Sequence, residues 1–442
     1  MNPFVTSPKR TPRETFDVAV VGAGIIGATI AVSLARTGLD VVVIDANRTP
    51  GFGSTSSSAG IVRVHAFDVE SSAMAAESIA AWTAWRDVTS TPEDEAVAEF
   101  VRCGTFVFDD GTDALERLSD TMTRAAVDYD EVDGDALARA LPWADTRRFG
   151  PPATIEDATF WREPTERIER ALHTPSSGYV SDPALAAQNL AGLARRLGVR
   201  FELGRRVVGF GERGGVTRVD LHDGGHLDAA AVVNAAGPHS RTINALAGVG
   251  GDFTIGLSAH RQELHLVHLP ESVSMSRDGA HIVDGDLGIN FRPDGDDAVL
   301  VGGNGSPVDG VEVLDDVDAL DPAPTREAWY RHSVRTARRI PGSRISVAPS
   351  GIAGLYDVTD DWLPIYDRTD REGFFVAVGT SGNQFKTAPV VGDLMTAIVR
   401  AGLDGHDTDA APLTHTLPLS GATISSTAFS RRRTPLLGGS RG

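Results

Sequence analysis

The chain's patterning opens with three apolar runs of different period. Residues 16–21 are apolar and mostly β-branched, the pattern of a strand buried in a parallel sheet. Residues 25–37 carry apolar positions at helical spacing and stop at Gly38, a common residue just past a helix end. Residues 39–44 form a second apolar strand that ends on Asp45. Residues 18–35 are apolar enough to resemble a membrane span, but three glycines, Thr29, Ser33 and the strand-helix-strand punctuation predict a globular βαβ start.

Further on, residues 69–88 predict a helix with Met74, Ile79, Trp82 and Trp85 on one core-facing stripe. The character changes at about residue 91, where a strand over 100–108 and helices over 113–126 and 133–140 are expected. Asp182 and Pro183 then read as N-cap and first turn of a helix to about 197. Strands over 199–203, 207–210, 216–221 and 227–234 follow, separated by Gly-rich turns. Residues 254–347 read mostly as antiparallel strands, at 263–268, 281–283, 288–291 and 298–302, with a helix inside 322–340. A strand over 374–378, a small-residue loop and a helix over 388–400 close the pattern. The fold class expected is α/β with an α+β second domain. One discontinuous domain comprises 15–90, 178–253 and 348–405, and a second comprises 91–177 and 254–347. A disordered lead-in over 1–14 and a C-terminal extension over 406–442, poorly ordered near its end, flank them.

Composition narrows the function classes. At 442 residues, two domains are the prior. The formal charge of −19, from 41 basic and 60 acidic residues, disfavours nucleic acid or a membrane surface as partner. It leaves an anionic small substrate open. The single cysteine, Cys103, allows no internal disulfide and no cysteine metal cluster. The first 16 residues hold Pro and charges without an apolar core, so a cytoplasmic location is the default expectation. Only Lys9 and Lys386 are lysines, so 39 of the 41 basic residues are arginine, and Lys386 draws attention.

The first strand ends in Gly22-Ala23-Gly24-Ile25-Ile26-Gly27, a G-x-G-x-x-G turn that opens the helix. Gly22 permits the turn, Gly24 lets a pyrophosphate approach the backbone, and Gly27 lets helix and strand pack closely. The helix N-terminus favours phosphate charge. Asp45, followed by Ala46, stands 23 positions after Gly22, where a carboxylate can accept from ribose hydroxyls. The loop from Gly53 through Ser54, Thr55 and Ser56 to Gly60 is rich in small and hydroxyl residues and suits the lining of a flat polar ligand. The strand over 227–234 ends in Ala235, Ala236 and Gly237, which again allow close approach. No second G-x-G-x-x-G follows a strand, so a second dinucleotide domain is not expected.

These features together resemble the FAD-dependent amino acid oxidoreductase (DAO) superfamily, in the branch of monomeric sarcosine oxidase and glycine oxidase. The matching motifs are GAGIIG at 22–27, Asp45, GSTSSSAGIVR at 53–63, the run at 178–199 and VVNAAGPHS at 232–240. HRQ at 260–262, GLYDVTDDWLPIYD at 354–367 and SGNQFKTAPVVGDLM at 381–395 complete the set, over about 16–402. The resemblance implies a glutathione-reductase-like FAD-binding domain and an antiparallel-sheet substrate domain. It implies that Gly22 to Gly27 hold the pyrophosphate, Asp45 the adenine ribose and Val207 the adenine. Ser54, Thr55 and Ser56 would lie near the flavin. Gly379, Ser381, Gly382, Asn383, Gln384, Phe385 and Lys386 would run along its pyrimidine edge. Arg63 and Lys386 resemble a pair that binds a substrate carboxylate, with Tyr356 lining the pocket and His65 and His260 as further candidates.

Two departures stand out. Gly354 occupies the place of the cysteine that tethers the flavin in sarcosine oxidase, and serines occupy that of the tethering histidine of dimethylglycine enzymes, so dissociable FAD is expected. No lysine is left for the role of activating oxygen that one plays in sarcosine oxidase, so either an arginine replaces it and O2 is the electron acceptor, or the enzyme reacts poorly with O2 and passes electrons to another acceptor. The expected reaction is oxidation of the C–N bond of a small, N-substituted or cyclic amino acid by hydride transfer from its carbon to flavin N5, giving an imine. Oxidation of a hydroxy acid or polyol, or a non-catalytic flavoprotein subunit, are the alternatives. No metal, nucleic acid or membrane partner is expected.

Overall fold

The computed structural model describes residues 15–436. The lead-in expected over 1–14 lies outside them. The first strand, Thr15–Val21, is the centre of an eight-stranded sheet. It pairs in parallel with Val41–Asp45 on one side and His226–Asn234 on the other. Arg200–Leu203 extends the parallel set beyond Val41–Asp45, and Phe374–Val378 beyond His226–Asn234. The near-continuous apolar sequence of these strands fits burial on both faces. Val18, Ala19 and Val20 are each 0% exposed. The strands Val207–Arg213 and Val216–Leu221 form the expected antiparallel excursion at one edge.

Ile25–Arg36 packs on this sheet between Pro183–Arg196 and Ala388–Leu403. Asp182 caps its helix through the Leu185 N–H, as its sequence position predicts. Contact with the last helix is close because Gly392 faces Thr29 and Ser33; a Cβ there would come within 2.5 Å of Ser33 Oγ.

The second sheet has nine strands and is antiparallel except where His281–Asp284 runs parallel to Thr105–Phe108. Its spine is the long strand Leu257–His268, which pairs with Ala298–Gly303 on one side. On its other side it pairs along most of its length with Gly351–Thr359. That last strand falls inside the segment 348–405 expected in the nucleotide half, yet its strand pairing is with the second sheet. Its mixed pattern of glycine, alanine and aspartate hides it from a period-two reading.

Three expectations need correction. The strand expected over 100–108 is two strands in different sheets, Phe100–Arg102 and Thr105–Phe108, because Gly104 takes φ +70 and turns the chain between them. The helix expected over 69–88 breaks at Ala84 into Val69–Thr83 and Trp85–Thr89. The poor order expected near the end of the C-terminal extension does not reach back to the arginines at 431–433, and the residues past 436 lie outside the described ones. Arg431 is 0% exposed and bridges Asp252, Asp367 and Asp409. Among the described residues no helix is long and apolar enough to cross a membrane.

Candidate functional site

All five parallel strands end on the same edge of the first sheet. The segments that follow Val21, Asp45, Asn234 and Val378 hold most of the sequence-predicted cofactor residues. Gly22 adopts φ +113, and a Cβ there would sit 2.2 Å from the carbonyl oxygen of Ala235, so this turn admits only glycine. Gly27 is excluded from bearing a side chain by Gly22 itself, whose oxygen would be 1.9 Å away. Gly24 is different. Its φ of −68 suits any residue, and the nearest atom to a Cβ would be the rotatable Thr55 Oγ1 at 3.3 Å. The protein's own packing does not require glycine at 24. An outside ligand lying against the backbone would require it, and Gly24 itself offers no side chain to cap the helix N-terminus there. This cradle fits a pyrophosphate.

Asp45 sits at the end of its strand and accepts from the N–H groups of Ala23 at 2.6 Å and Asn47 at 2.7 Å. The acid thus braces the glycine turn and Ala46 beside it. Val207 begins two residues past Arg205, whose N–H donates to the Asp45 carbonyl. The hydroxyl loop lies between the turn and the second sheet. Thr55 Oγ1 accepts from Ile25 N at 3.2 Å, Ser54 Oγ donates to Leu355 O at 2.6 Å, and Ser56 Oγ donates to Gly53 O at 2.8 Å. Gly354 packs on this loop; a Cβ would be 2.6 Å from Ser57 Cβ.

Residues 379–386 lie across the gap between the sheets. Asp357, on the second sheet, holds this loop by accepting from Thr380 N at 3.0 Å, while its carbonyl accepts from Ser381 N at 2.8 Å. Gly382 lies flat against Tyr356, whose ring a Cβ would meet at 2.3 Å. Gln384 accepts from Thr387 Oγ1 at 2.7 Å, and Phe385 stacks on Trp82 with centroids 5.1 Å apart. Trp82 Nε1 also donates to Lys386 O at 2.8 Å, so the predicted core stripe holds the lysine's backbone in place.

Arg63, Tyr356 and Lys386 line one cavity. Arg63 is 7% exposed and its guanidinium donates to Asn383 Oδ1 at 2.8 Å. Lys386 is 2% exposed, and Nζ donates to the His65 carbonyl at 3.4 Å. Burial, with the Arg63 charge adding to it, pushes the Lys386 ammonium well below its usual range; Asp68 offsets this only in part. Burial also lowers Arg63 to about 10. Two basic groups are therefore held together out of water, and charging both carries a cost that a bound anion would relieve. His65 is buried and neutral, and supplies its carbonyl rather than its ring. His260 stands directly across the strand pair from Tyr356, bonds Ser258 Oγ at 2.8 Å and meets Trp362 edge-on; it is outside the cavity lining.

Sequence reasoning missed His281, Asn290, Asn304 and Trp362, which also line the cavity. His281, Asn290 and Asn304 come from the second sheet and its turns, where no motif marks them, and Trp362 falls inside the 354–367 motif without being singled out by it. His281 is 1% exposed and held neutral by burial and by the Arg63, Arg292 and Lys386 charges. Its Nδ1 is 3.0 Å from Thr105 Oγ1, and Nε2 has no partner among the described residues. Either atom of that pair can donate, and Nε2 faces the cavity with its hydrogen-bonding capacity unused by the described residues. The cavity thus holds two basic side chains and one neutral imidazole.

A family model described as FAD dependent oxidoreductase (DAO) matches residues 17–398. No curated protein matches the chain. Solved structures share the fold at low identity. L-proline dehydrogenase from P. horikoshii is 20% identical at TM-score 0.73, covering 95% of this chain and 97% of that one. Glycine oxidase from Geobacillus kaustophilus is 20% identical at TM-score 0.68, with 89% and 96% covered. L-alpha-glycerophosphate oxidase from Mycoplasma pneumoniae with FAD bound is 16% identical at TM-score 0.67, with 88% and 95% covered.

Proposed function

The chain belongs to the FAD-dependent oxidoreductase (DAO) family, and on that premise we propose that it oxidises the C–N bond of a small, N-substituted or cyclic amino acid to an imine. The observation that carries this reading is the pair of buried basic side chains, Arg63 and Lys386, in a cavity beside Tyr356. A guanidinium and an ammonium at one site suit a carboxylate. Bound FAD supplies the hydride acceptor.

The residues then divide by task. Gly22 to Gly27 take the pyrophosphate, Asp45 the ribose, Val207 the adenine, and Ala235 to Gly237 the close backbone contact between them. Ser54, Thr55, Ser56 and residues 379–386 lie along the flavin. Arg63 and Lys386 grip the substrate carboxylate, and Tyr356 packs on its side. His281 offers Nε2 for a hydrogen bond with the substrate. Positioning of this kind can supply roughly 7–11 kcal/mol of a barrier when reacting atoms are held in line. FAD is dissociable in this reading. Gly354 is pressed against Ser57, leaving no room for a tethering side chain. Cys103 lies outside the cavity lining, with its thiol pushed up to about 11 by burial. A soluble cytoplasmic enzyme passing electrons to O2 or another acceptor completes the proposal.

Anaerobic mixing with a panel of amines tests it. Sarcosine, L-proline or glycine is expected to bleach the flavin, and acid precipitation of the same preparation to release it unmodified. Bleaching by glycerol 3-phosphate or 2-hydroxy acids, with every amine silent, would move the reaction to a C–O bond.

The lysine also predicts a pH effect. In the empty site Lys386 is depressed by burial and Arg63, and a bound carboxylate raises it. Between those two values, binding takes up one proton, so affinity falls about tenfold per pH unit as pH rises. Below both values, Lys386 is protonated throughout and the dependence vanishes. Benzoate titrations followed by flavin absorbance, in two buffers of different ionisation enthalpy, measure the uptake. Affinity that improves with pH would contradict the lowered lysine.

A further inference from the structure

Trp362 lines the cavity from the turn that links Gly351–Thr359 of the second sheet to Ile365–Arg368 of the first. The turn follows the strand Gly351–Thr359 and holds Trp362 at φ +64, in the left-handed region that a bulky residue rarely adopts. Something must hold the backbone there. Locally, Trp362 N donates to Thr359 O at 3.2 Å, and Thr359 Oγ1 donates to Leu363 O at 2.7 Å. The side chain before the tryptophan, Asp361, is 2% exposed and turns away to meet Arg433.

Arg433 spends every N–H of its guanidinium on this region. Nε donates to Asp361 Oδ2 at 2.8 Å. One terminal nitrogen donates to Asp361 Oδ1 at 2.7 Å and Leu363 O at 2.8 Å. The other donates to Pro364 O at 3.0 Å and Ser430 O at 3.1 Å. A planar fork in this geometry fixes orientation as well as distance, which an ammonium could not do. Arg433 is itself fixed. Two residues earlier, Arg431 is locked to Asp252, Asp367 and Asp409, and Thr254 Oγ1 donates to Arg433 O at 2.7 Å. The clamp lies outside the segment matched by the family model, which ends at 398.

We propose that Arg433 is a positioning residue for this enzyme's substrate pocket. Carried in on the C-terminal segment, it clamps the 361–364 turn so that Trp362 forms a wall of the cavity. The wall's shape, and with it the choice among amine side chains, is then set by a part of the chain remote from the cofactor motifs. This rests on reading the cavity as the substrate site.

A double-mutant cycle with Arg433→Met and Trp362→Ala tests it on the FAD-loaded, full-length protein. Each variant is assayed with the amine that bleaches the flavin best. Arg433→Met is expected to raise KM about tenfold, with a smaller change in kcat and normal flavin content. In the Trp362→Ala background it is expected to have no further effect on KM, because the group it positions is gone. Equal KM effects in both backgrounds would show that Arg433 only stabilises the fold. An unchanged KM in Trp362→Ala would also overturn the proposal. If Arg433→Met yields no holoprotein, Asp361→Asn takes its place in the cycle. If no amine is oxidised, the same cycle is run on the Kd for benzoate, a planar carboxylate with no C–N bond to oxidise. Non-additive Kd values there uphold the clamp although the amine reading has failed, and additive values reject it.

Discussion

Lys386→Met is expected to keep its FAD, gain or hold thermal stability, and lose about 100- to 1,000-fold in kcat/KM for amines that bear a carboxylate. Methionine preserves a flexible aliphatic stem of similar length and removes only the ammonium. The wild-type lysine is 2% exposed, and burial together with Arg63 works against its charge. Replacing a buried ion by an apolar side chain of similar shape is often neutral or stabilising. A lysine kept there for folding alone would behave in the opposite way. Removing one partner of a buried charge pair in a complex costs on the order of 3–4 kcal/mol, which sets the size of the kinetic loss. The effect should shrink for amines without a carboxylate. Steady-state kinetics on matched substrates, with flavin content by absorbance, measures it. Unchanged turnover of the carboxylate-bearing amine would remove Lys386 from the binding pair.

Gly27→Ala is expected to give protein without bound flavin, with FAD affinity reduced by more than about 100-fold. Its Cβ would lie 1.9 Å from Gly22 O and 2.9 Å from Gly22 C, both backbone atoms that cannot rotate away. The helix must lift from the strand, at a cost of about 1–3 kcal/mol or more, and its N-terminus then misses the pyrophosphate. Gly24→Ala is the informative partner. Only the mobile Thr55 Oγ1 crowds a Cβ there, so the protein should fold with normal stability and lose affinity for FAD alone. Equilibrium titration with FAD, beside thermal melts of the apo forms, separates the two. A Gly24→Ala protein that binds FAD normally would mean the cradle is not where the pyrophosphate lies.

The legibility of this chain depended on how local each signal is. Strand, G-x-G-x-x-G turn, helix and terminal acid occupy 31 consecutive residues, 15–45, and every one of those elements is found where the pattern puts it. The loop over 379–386 was legible for the same reason, between an apolar strand and a helix with Pro389 in its first turn. Errors came where one residue redirects the chain. Gly104 divides what reads as a continuous strand, because nothing in composition distinguishes a strand glycine from a left-handed one. The strand Gly351–Thr359 reads as nucleotide-half sequence until its pairing with Leu257–His268 is seen.

Arg431 and Arg433 show the limit most clearly. In sequence they belong to a basic, glycine-flanked tail. In the fold Arg431 is fully buried and meets a carboxylate 179 residues away, while Arg433 meets one 72 residues away. The sequence by itself determined the cofactor half, because dinucleotide binding uses backbone geometry, and backbone geometry is dictated by neighbouring residues. It also named Arg63, Tyr356 and Lys386. Only the tertiary structure brought these into one cavity and added His281 and Trp362 to its wall. Those additions depend on register in the second sheet and on a tail that folds back. The physical reason is that register and long-range ion pairs are settled by burial across the whole molecule, which no local window records.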